Sequence, residues 1–268
     1  MNKNKNERIV LVAGSGRTGQ GWLCNMLSYY LNARFVEPYC LLRGILHTED
    51  NSVMEDTAGR LKDRKNTEYD LVVKTHEYPD EFFSLTSKVI LLVRDPRDVV
   101  ASAWLRHKTI SETGSDLESG LRDKSIISKE NDNKKTGIKN RIWIFIHSFK
   151  KLSVWRTAIK WKRFIYLWGK VPTVYSVRFE DLKENPVQEI TNIMNYLQVE
   201  INIDMIKETI NRFNIHNMKS QSSTNSDHSI TVRKGKVGGY KRYLDRIDIY
   251  IIQRICNKIA TKIGYKTY

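Results

Sequence analysis

The amino-acid sequence predicts an α/β fold, in which a central parallel sheet is flanked by helices. Short apolar runs rich in β-branched residues recur along the chain, and helical stretches separate them. Parallel strands that are buried on both faces have this continuous apolar character, and a crossover helix follows each of them. A third observation is a glycine-rich loop directly after the first run. The predicted strands are 8–13, 33–36, 70–74, 88–93 and 173–179.

Length and composition fit one domain over residues 1–268. The chain has 268 residues, 40% of them hydrophobic, and a formal net charge of +15. This charge favours an anionic ligand, a nucleic acid or an acidic membrane surface without choosing among them. Three cysteines without metal-type spacing indicate a reducing compartment, and the apolar run near the N-terminus is too short for a signal peptide. We therefore expect a cytoplasmic protein.

A polar segment at 111–140 interrupts the pattern of strands and helices. It contains three glycines and a run of charged and amide side chains from Lys129 to Lys135. Long segments of this kind inside a compact domain are usually functional lids or disordered. The segment is our candidate for a mobile lid.

Two later stretches have helical character. Residues 141–170 carry eight Lys or Arg residues, no acidic residue and eight aromatic residues. They predict a helix with its aromatic side on the sheet and its basic side in water, although such a helix is also typical of membrane- and nucleic-acid-binding modules. In the terminal stretch 246–263, an i+4 stripe is predicted to face the core: Ile247, Ile251, Ile255, Ile259 and Ile263.

The loop Gly14-Ser15-Gly16-Arg17-Thr18-Gly19-Gln20-Gly21 follows the first strand and leads into a helix expected near Trp22. Glycines let backbone N–H groups approach a phosphate, which then lies at the positive end of the helix. The loop also matches the pattern of Rossmann-type NAD(P)-dependent oxidoreductases, with Glu37 as a candidate ribose ligand. It matches a nucleoside triphosphatase loop less well, because Gln20 and Gly21 stand where Lys and Ser/Thr are expected.

Three further motifs follow predicted strands or lie in loops. Lys74-Thr75-His76 ends the third strand, where side chains face the ligand crevice of an open α/β sheet. A histidine there can take a proton from a hydroxyl, and a lysine can neutralise charge on a leaving oxygen. Arg94 ends the fourth strand, and Ser102 lies on the helix that follows Pro96. Arg233-Lys234-Gly235 lies in a basic loop suited to a second phosphate.

Taken in this order, the four motifs resemble the sulfotransferase family that uses 3′-phosphoadenosine 5′-phosphosulfate (PAPS). The resemblance runs from the first strand to about Lys241. It implies a P-loop-like fold and the transfer of a sulfuryl group to a hydroxyl or amine, with 3′-phosphoadenosine 5′-phosphate (PAP) as product and no metal. The acceptor would be a small molecule, with neither a nucleic acid nor stable membrane insertion involved.

The resemblance also implies roles for individual residues. His76 would be the general base, assisted by Lys74 and Arg17, and Trp22 would stack on adenine. The 5′-phosphosulfate loop would comprise Arg17, Thr18, Gly19, Gln20, Gly21 and Trp22. Phe179 stands where an adenine-contacting tyrosine is common, and the 3′-phosphate site would comprise Arg94, Ser102, Arg233, Lys234 and Gly235. Gln20 and Gly21 depart from the family pattern, because they replace two hydroxyl-bearing residues.

Overall fold

The computed structural model describes residues 8–36, 69–79, 88–113, 136–214 and 235–265, without the side chains of 107–113 and 136–149. Five parallel strands form one sheet in the order β2-β3-β1-β4-β5. They are β1 (Ile9–Ala13), β2 (Arg34–Val36), β3 (Leu71–Thr75), β4 (Lys88–Val93) and β5 (Val174–Arg178). The α/β class with a central parallel sheet is thereby confirmed.

Seven α-helices are described around these strands. They are α1 (Gln20–Leu31), α2 (Pro96–Thr113), α3 (Thr136–Trp168), α4 (Phe179–Glu184), α5 (Pro186–Leu197), α6 (Ile203–Arg212) and α7 (Arg246–Lys262). A short 3₁₀ helix, Gly239–Arg242, precedes α7. Of the candidate lid at 111–140, residues 111–113 belong to α2 and residues 136–140 belong to α3. The rest of the candidate lid, 114–135, lies outside the described residues.

The chain divides into two compact units. The first takes its described residues from 1–94 and 164–236, and the second from 95–163 and 237–268. Every strand of the sheet belongs to the first unit. The expectation of a single domain over 1–268 stays a prediction.

The first unit is organised around its central strand. All five residues of β1 are buried, and β1 lies between β3 and β4. Dinucleotide-binding folds place the second strand beside the first, in the order 3-2-1-4-5-6. Among the strands described here, β3 occupies that place instead, which disfavours the Rossmann alternative.

In the second unit, α7 faces the core with a different stripe from the one predicted. The buried residues of α7 are Asp248, Ile252, Cys256 and Ala260, whereas Ile247 is 61% exposed. The prediction that the Ile247 stripe faces the core is therefore wrong by one position. The cause is Asp248, a fully buried carboxylate that lies 2.6 Å from both Lys150 Nζ and Lys151 Nζ. Two cations compensate the desolvation of this carboxylate, so a polar residue occupies the place expected for an isoleucine.

The aromatic residues of α3 divide between core and surface. Trp161, Phe164 and Trp168 are buried, as expected for the core-facing side of the helix. Trp155 and Tyr166 are about half exposed, at 48% and 51%. The expectation that the aromatic side of the helix is buried thus holds for three of the five aromatic side chains that are described.

Candidate active site

The glycine loop connects the carboxyl end of β1 to the N-terminus of α1. Gly16 and Gly19 have φ angles of 83° and 92°, and Arg17 between them has φ 59°. These left-handed conformations turn the chain sharply enough for α1 to begin at Gln20. No side chain of the described residues caps α1, and the first turn of α1 contains no acidic residue. The positive end of the helix dipole is therefore open to an anion.

Two hydroxyl groups in this loop are buried and unpaired. Within the part of the chain that the structure describes, Ser15 Oγ and Thr18 Oγ1 have no hydrogen-bond partner. A buried hydroxyl without a partner costs free energy, so such groups usually mark a site where a ligand or water completes the hydrogen bonds. The oxygens of a phosphate would accept both hydroxyl protons. The loop thus fits the 5′ end of a donor such as PAPS.

Gln20 points back towards the sheet. Its amide Nε2 donates to the carbonyl oxygen of Thr75 at 2.7 Å and to that of Val12 at 3.1 Å. Gln20 was predicted from the loop motif as a ligand-binding residue, but both of these bonds are made to the strands. The sequence contained one signal of this difference, namely the departure from the hydroxyl-bearing residue of the family pattern.

His76 directly follows β3 and its side chain is exposed. Its ring Nδ1 lies 2.9 Å from the carbonyl oxygen of Gly14 in the glycine loop. A carbonyl oxygen can only accept, so Nδ1 carries the proton and donates it, and Nε2 is left as the acceptor of the neutral ring. The structure thus brings the predicted base beside the predicted phosphate loop. Lys74, two residues earlier, is partly buried in β3.

Arg94 directly follows β4, and its guanidinium group makes three contacts. Its Nη1 donates to the carbonyl oxygen of Arg17 at 3.2 Å, and its Nη2 donates to that of Lys236 at 3.1 Å. The guanidinium carbon lies 4.6 Å from the centroid of the Phe179 ring. Arg94 therefore links the glycine loop to the segment that follows the basic motif at Arg233.

Phe179 and Trp22 meet in the same region. Their ring centroids are 5.9 Å apart in an edge-to-face arrangement, and Trp22 Nε1 donates to the carbonyl oxygen of Phe213 at 2.9 Å. Gly19 is also close, because a Cβ there would lie 2.7 Å from Phe179 Cε2. The two predicted adenine contacts are thus neighbours of each other and of the loop.

Lys183 is a cation of this region that the sequence analysis did not single out as a site residue. Its Nζ donates to the carbonyl oxygen of Gly235 at 2.7 Å. Burial, and the nearby charge of Arg94, lower the pKa of Lys183 below its usual value. A cation in such a place would gain from a bound anion. The signal in the sequence was its position four residues after Phe179.

The remaining predicted residues have different outcomes. Gly21 is the second residue of α1, and Gly235 has φ 48°. Arg233 and Lys234 lie outside the described residues, as does Glu37. Ser102 lies in α2 and belongs to the second unit.

An open parallel sheet, a phosphate-type loop and a histidine beside that loop are typical of α/β enzymes that act on phosphate-bearing ligands. The comparison with protein families agrees with this class: a family model described as "Sulfotransferase domain" matches residues 7–264. The chain belongs to this family and is a sulfotransferase. The predicted class of enzyme is confirmed, and the oxidoreductase alternative is set aside.

Solved structures share the fold at low sequence identity. A mouse sulfotransferase complexed with PAP is 16% identical, with a TM-score of 0.59 over 97% of this chain and 85% of that one. A retinol dehydratase in complex with androsterone and PAP is 17% identical, with a TM-score of 0.56 over 97% and 82%. A sulfotransferase from Mycobacterium avium is 12% identical, with a TM-score of 0.52 over 98% and 78%.

Two findings concern features other than the donor site. No helix among the described residues is long and apolar enough to cross a membrane. Within the same part of the chain, no group of three or more His, Cys, Asp or Glu side chains is arranged to hold a metal ion.

Proposed function

We propose that this sulfotransferase takes its sulfuryl group from PAPS and that the donor occupies the glycine loop and the Arg94 region. The observation that carries the proposal is the bond from Arg94 to the carbonyl oxygen of Arg17. Through this bond the Arg94 cation lies beside the phosphate-type loop. A ligand with a phosphate group at each end needs two anion-binding regions close together. The PAP complexes of two structural neighbours agree with this donor.

The donor's 5′ end would be bound by the glycine loop. The backbone N–H groups at the start of α1 and the hydroxyl of Thr18 would donate to phosphate oxygens, with Gly19 and Gly21 allowing close approach. Arg17 and Lys74 would stabilise the charge that develops on the sulfuryl and bridging oxygens. These fixed cations supply the stabilisation that a magnesium ion supplies in phosphoryl transfer.

At the other end of the donor, Trp22 and Phe179 would contact adenine through their ring faces and edges. Arg94 would bind the 3′-phosphate, with Ser102, Arg233, Lys234 and Gly235 completing the site as the family resemblance implies. Lys183 extends this set, because its ammonium group already lies on Gly235.

His76 would act as the general base. Its Nε2 takes the proton of the acceptor hydroxyl or amine while the acceptor O or N attacks sulfur. The new bond to sulfur forms as the bond from sulfur to the bridging phosphate oxygen breaks, and PAP leaves with the electron pair. The Gly14 carbonyl supports this role, because it accepts from Nδ1–H and stabilises the imidazolium that forms.

The acceptor would be a small molecule with a hydroxyl or amine. Two structural neighbours are described with bound androsterone and with bound retinol. We place the reaction in the cytoplasm, in agreement with the buried thiols of Cys24 and Cys256.

Replacement of His76 tests the catalytic assignment. In His76→Ala, turnover should fall by on the order of 100-fold or more, because general-base catalysis contributes about that much. PAP binding, measured by calorimetry, should be retained, since no donor contact is removed. A His76→Ala variant with parental activity would refute the role of His76. If the parent protein does not bind PAP, the proposal that PAPS is the donor is refuted.

The acceptor class can be found by screening. The parent protein is loaded with PAPS and incubated with phenols, alcohols, amines and glycans, and sulfated products are detected by their gain in mass. A product with one class and none with the others would identify the acceptor. Products only with glycans would contradict the small-molecule proposal.

A further inference from the structure

We propose that Gln20 is a positioning residue for the catalytic base: its side chain ties the carboxyl ends of β1 and β3 together and so holds His76 against the glycine loop. The inference rests on the proposed role of His76. Gln20 is only 3% exposed, and its amide joins Val12 of β1 to Thr75 of β3. It thus bridges the two strands that lead to the loop and to the base.

The bond to Thr75 acts directly on His76. The carbonyl group of Thr75 and the backbone nitrogen of His76 belong to one rigid peptide plane. Gly14 N–H also donates to this carbonyl oxygen, at 3.2 Å, so two donors hold the plane. A carbonyl oxygen has two lone pairs, and both are engaged here.

The ring of His76 is held by the same residue, Gly14. Its Nδ1 donates to the carbonyl oxygen of Gly14 at 2.9 Å, while the N–H of Gly14 holds Thr75. Gln20 therefore braces a closed set of hydrogen bonds, in which Gly14 N–H donates to the Thr75 carbonyl oxygen and the Gly14 carbonyl oxygen accepts from the His76 ring. If the brace is lost, the peptide plane can rotate and the ring can leave its single tautomer.

Glutamine can make both of these hydrogen bonds, whereas the hydroxyl-bearing residues of the family pattern cannot. Its NH₂ group has two N–H donors on a side chain long enough to reach two carbonyl oxygens on two strands. A threonine or serine has one O–H donor on a short side chain. The close fit also involves Gly14, where a Cβ would lie 2.6 Å from Gln20 Cδ. Gly14 leaves the space through which the Gln20 side chain crosses the loop.

The test compares Gln20→Met with the parent protein. Methionine keeps the length of the side chain and removes both donors without adding a charge. Gln188→Met is the matched control, because Gln188 is an exposed residue of α5 that bonds Asn192. Three quantities are measured: kcat with an acceptor from the screen, the Kd of PAP, and the ¹⁵N NMR signals of the His76 ring, assigned by their loss in His76→Ala.

In Gln20→Met, we expect kcat to fall by about 10- to 100-fold, as for a misplaced catalytic group, while the Kd of PAP stays at the parental value. The His76 ring signals should shift from the Nδ1–H tautomer towards an average of both tautomers, and Gln188→Met should change none of these. The NMR experiment needs no turnover, so it separates this inference from the donor and acceptor assignments.

A second variant, Gln20→Thr, restores a hydroxyl at this position. It should tighten PAP binding or leave it unchanged, and still lower kcat. The inference is overturned if both variants keep the parental ring signals and kcat, whatever their thermal stability. It is also overturned if a weaker Kd of PAP accounts for the whole loss of kcat/KM, because Gln20 would then act on the donor.

Discussion

Arg94 holds the backbone of Arg17: its guanidinium Nη1 donates to the Arg17 carbonyl oxygen at 3.2 Å. The same guanidinium group donates to Lys236 and lies over the ring of Phe179. One side chain directly after β4 thus stabilises the glycine loop, an aromatic contact and the segment that follows the basic motif at Arg233. The planar, forked shape of arginine makes three simultaneous contacts possible.

Arg94→Lys should therefore weaken PAP binding although the charge is kept. A lysine ammonium cannot hold two separate carbonyl oxygens and stack on a ring, so the Kd should rise roughly 10-fold or more, about the value of one hydrogen bond to a charged group. Calorimetry with PAP measures the change. Arg212→Lys is the control, because Arg212 lies over the ring of Tyr29, 4.9 Å from its centroid. Equal effects of the two substitutions would contradict a special role of Arg94.

Gly19→Ala should destabilise the protein and disrupt the loop. Gly19 has φ 92°, and an added Cβ would lie 2.7 Å from Phe179 Cε2. The backbone strain costs about 1–2 kcal/mol, and the displaced phenyl ring adds to it. Gly21→Ala is a matched control, since a Cβ at Gly21 meets nothing within 4 Å. Urea denaturation should show a lower midpoint for Gly19→Ala alone, and equal midpoints would refute the steric argument.

The lowered pKa of Lys183 predicts that PAP binding depends on pH. Burial and the charge of Arg94 lower its pKa below the usual 10.5, so it loses its proton at a lower pH than an ordinary lysine. A bound phosphate favours the ammonium form, and PAP affinity should decrease as pH rises through this lowered pKa. Calorimetry between neutral and alkaline pH should show the decrease.

Lys183→Met should remove this decrease and weaken PAP binding at neutral pH. It should also raise the melting temperature at neutral pH, because an ammonium whose pKa is lowered by folding opposes folding below that pKa. Lys207→Met, at an exposed lysine of α6, controls for the loss of one charge. A Lys183→Met variant that binds PAP as the parent does would exclude Lys183 from the site.

The lowered pKa of Asp245 predicts an acid limb, that is, a loss of stability of the second unit as the pH falls. Burial raises its pKa, but the hydrogen bond from Lys151, the backbone N–H of Asp248 and the charges of both Lys150 and Lys151 outweigh burial and lower the pKa to about 2. The stabilisation is complete above the ordinary value of 3.8 and is lost as pH falls towards 2.

Asp245→Asn should flatten this limb, since asparagine keeps the N-cap of α7 and removes the charge. Thermal unfolding between pH 6 and pH 2 measures the effect. Asp204→Asn, near the start of α6, is the control because the Asp204 side chain is 97% exposed. An acid limb that persists in Asp245→Asn would assign it to other carboxylates.

Strands and loop could be predicted because their signals are local. All five predicted strands agree with the observed strands within one residue at each end. Buried parallel strands are continuous apolar runs, and glycines mark the turn after β1. The face of α7 could not be predicted, because the partners of Asp248 lie almost 100 residues earlier, at Lys150 and Lys151.

By itself, the sequence determined the α/β class, the phosphate-type loop and the family, since these depend on short patterns of apolar residues, glycines and charged motifs. Only the tertiary structure decided which groups Gln20 and Lys183 contact. Gln20 reaches Thr75 because β1 and β3 are paired in parallel with Ala13 beside Thr75. Lys183 reaches Gly235 across 52 residues. The direction of a side chain between distant segments depends on strand register and packing, which no local pattern contains.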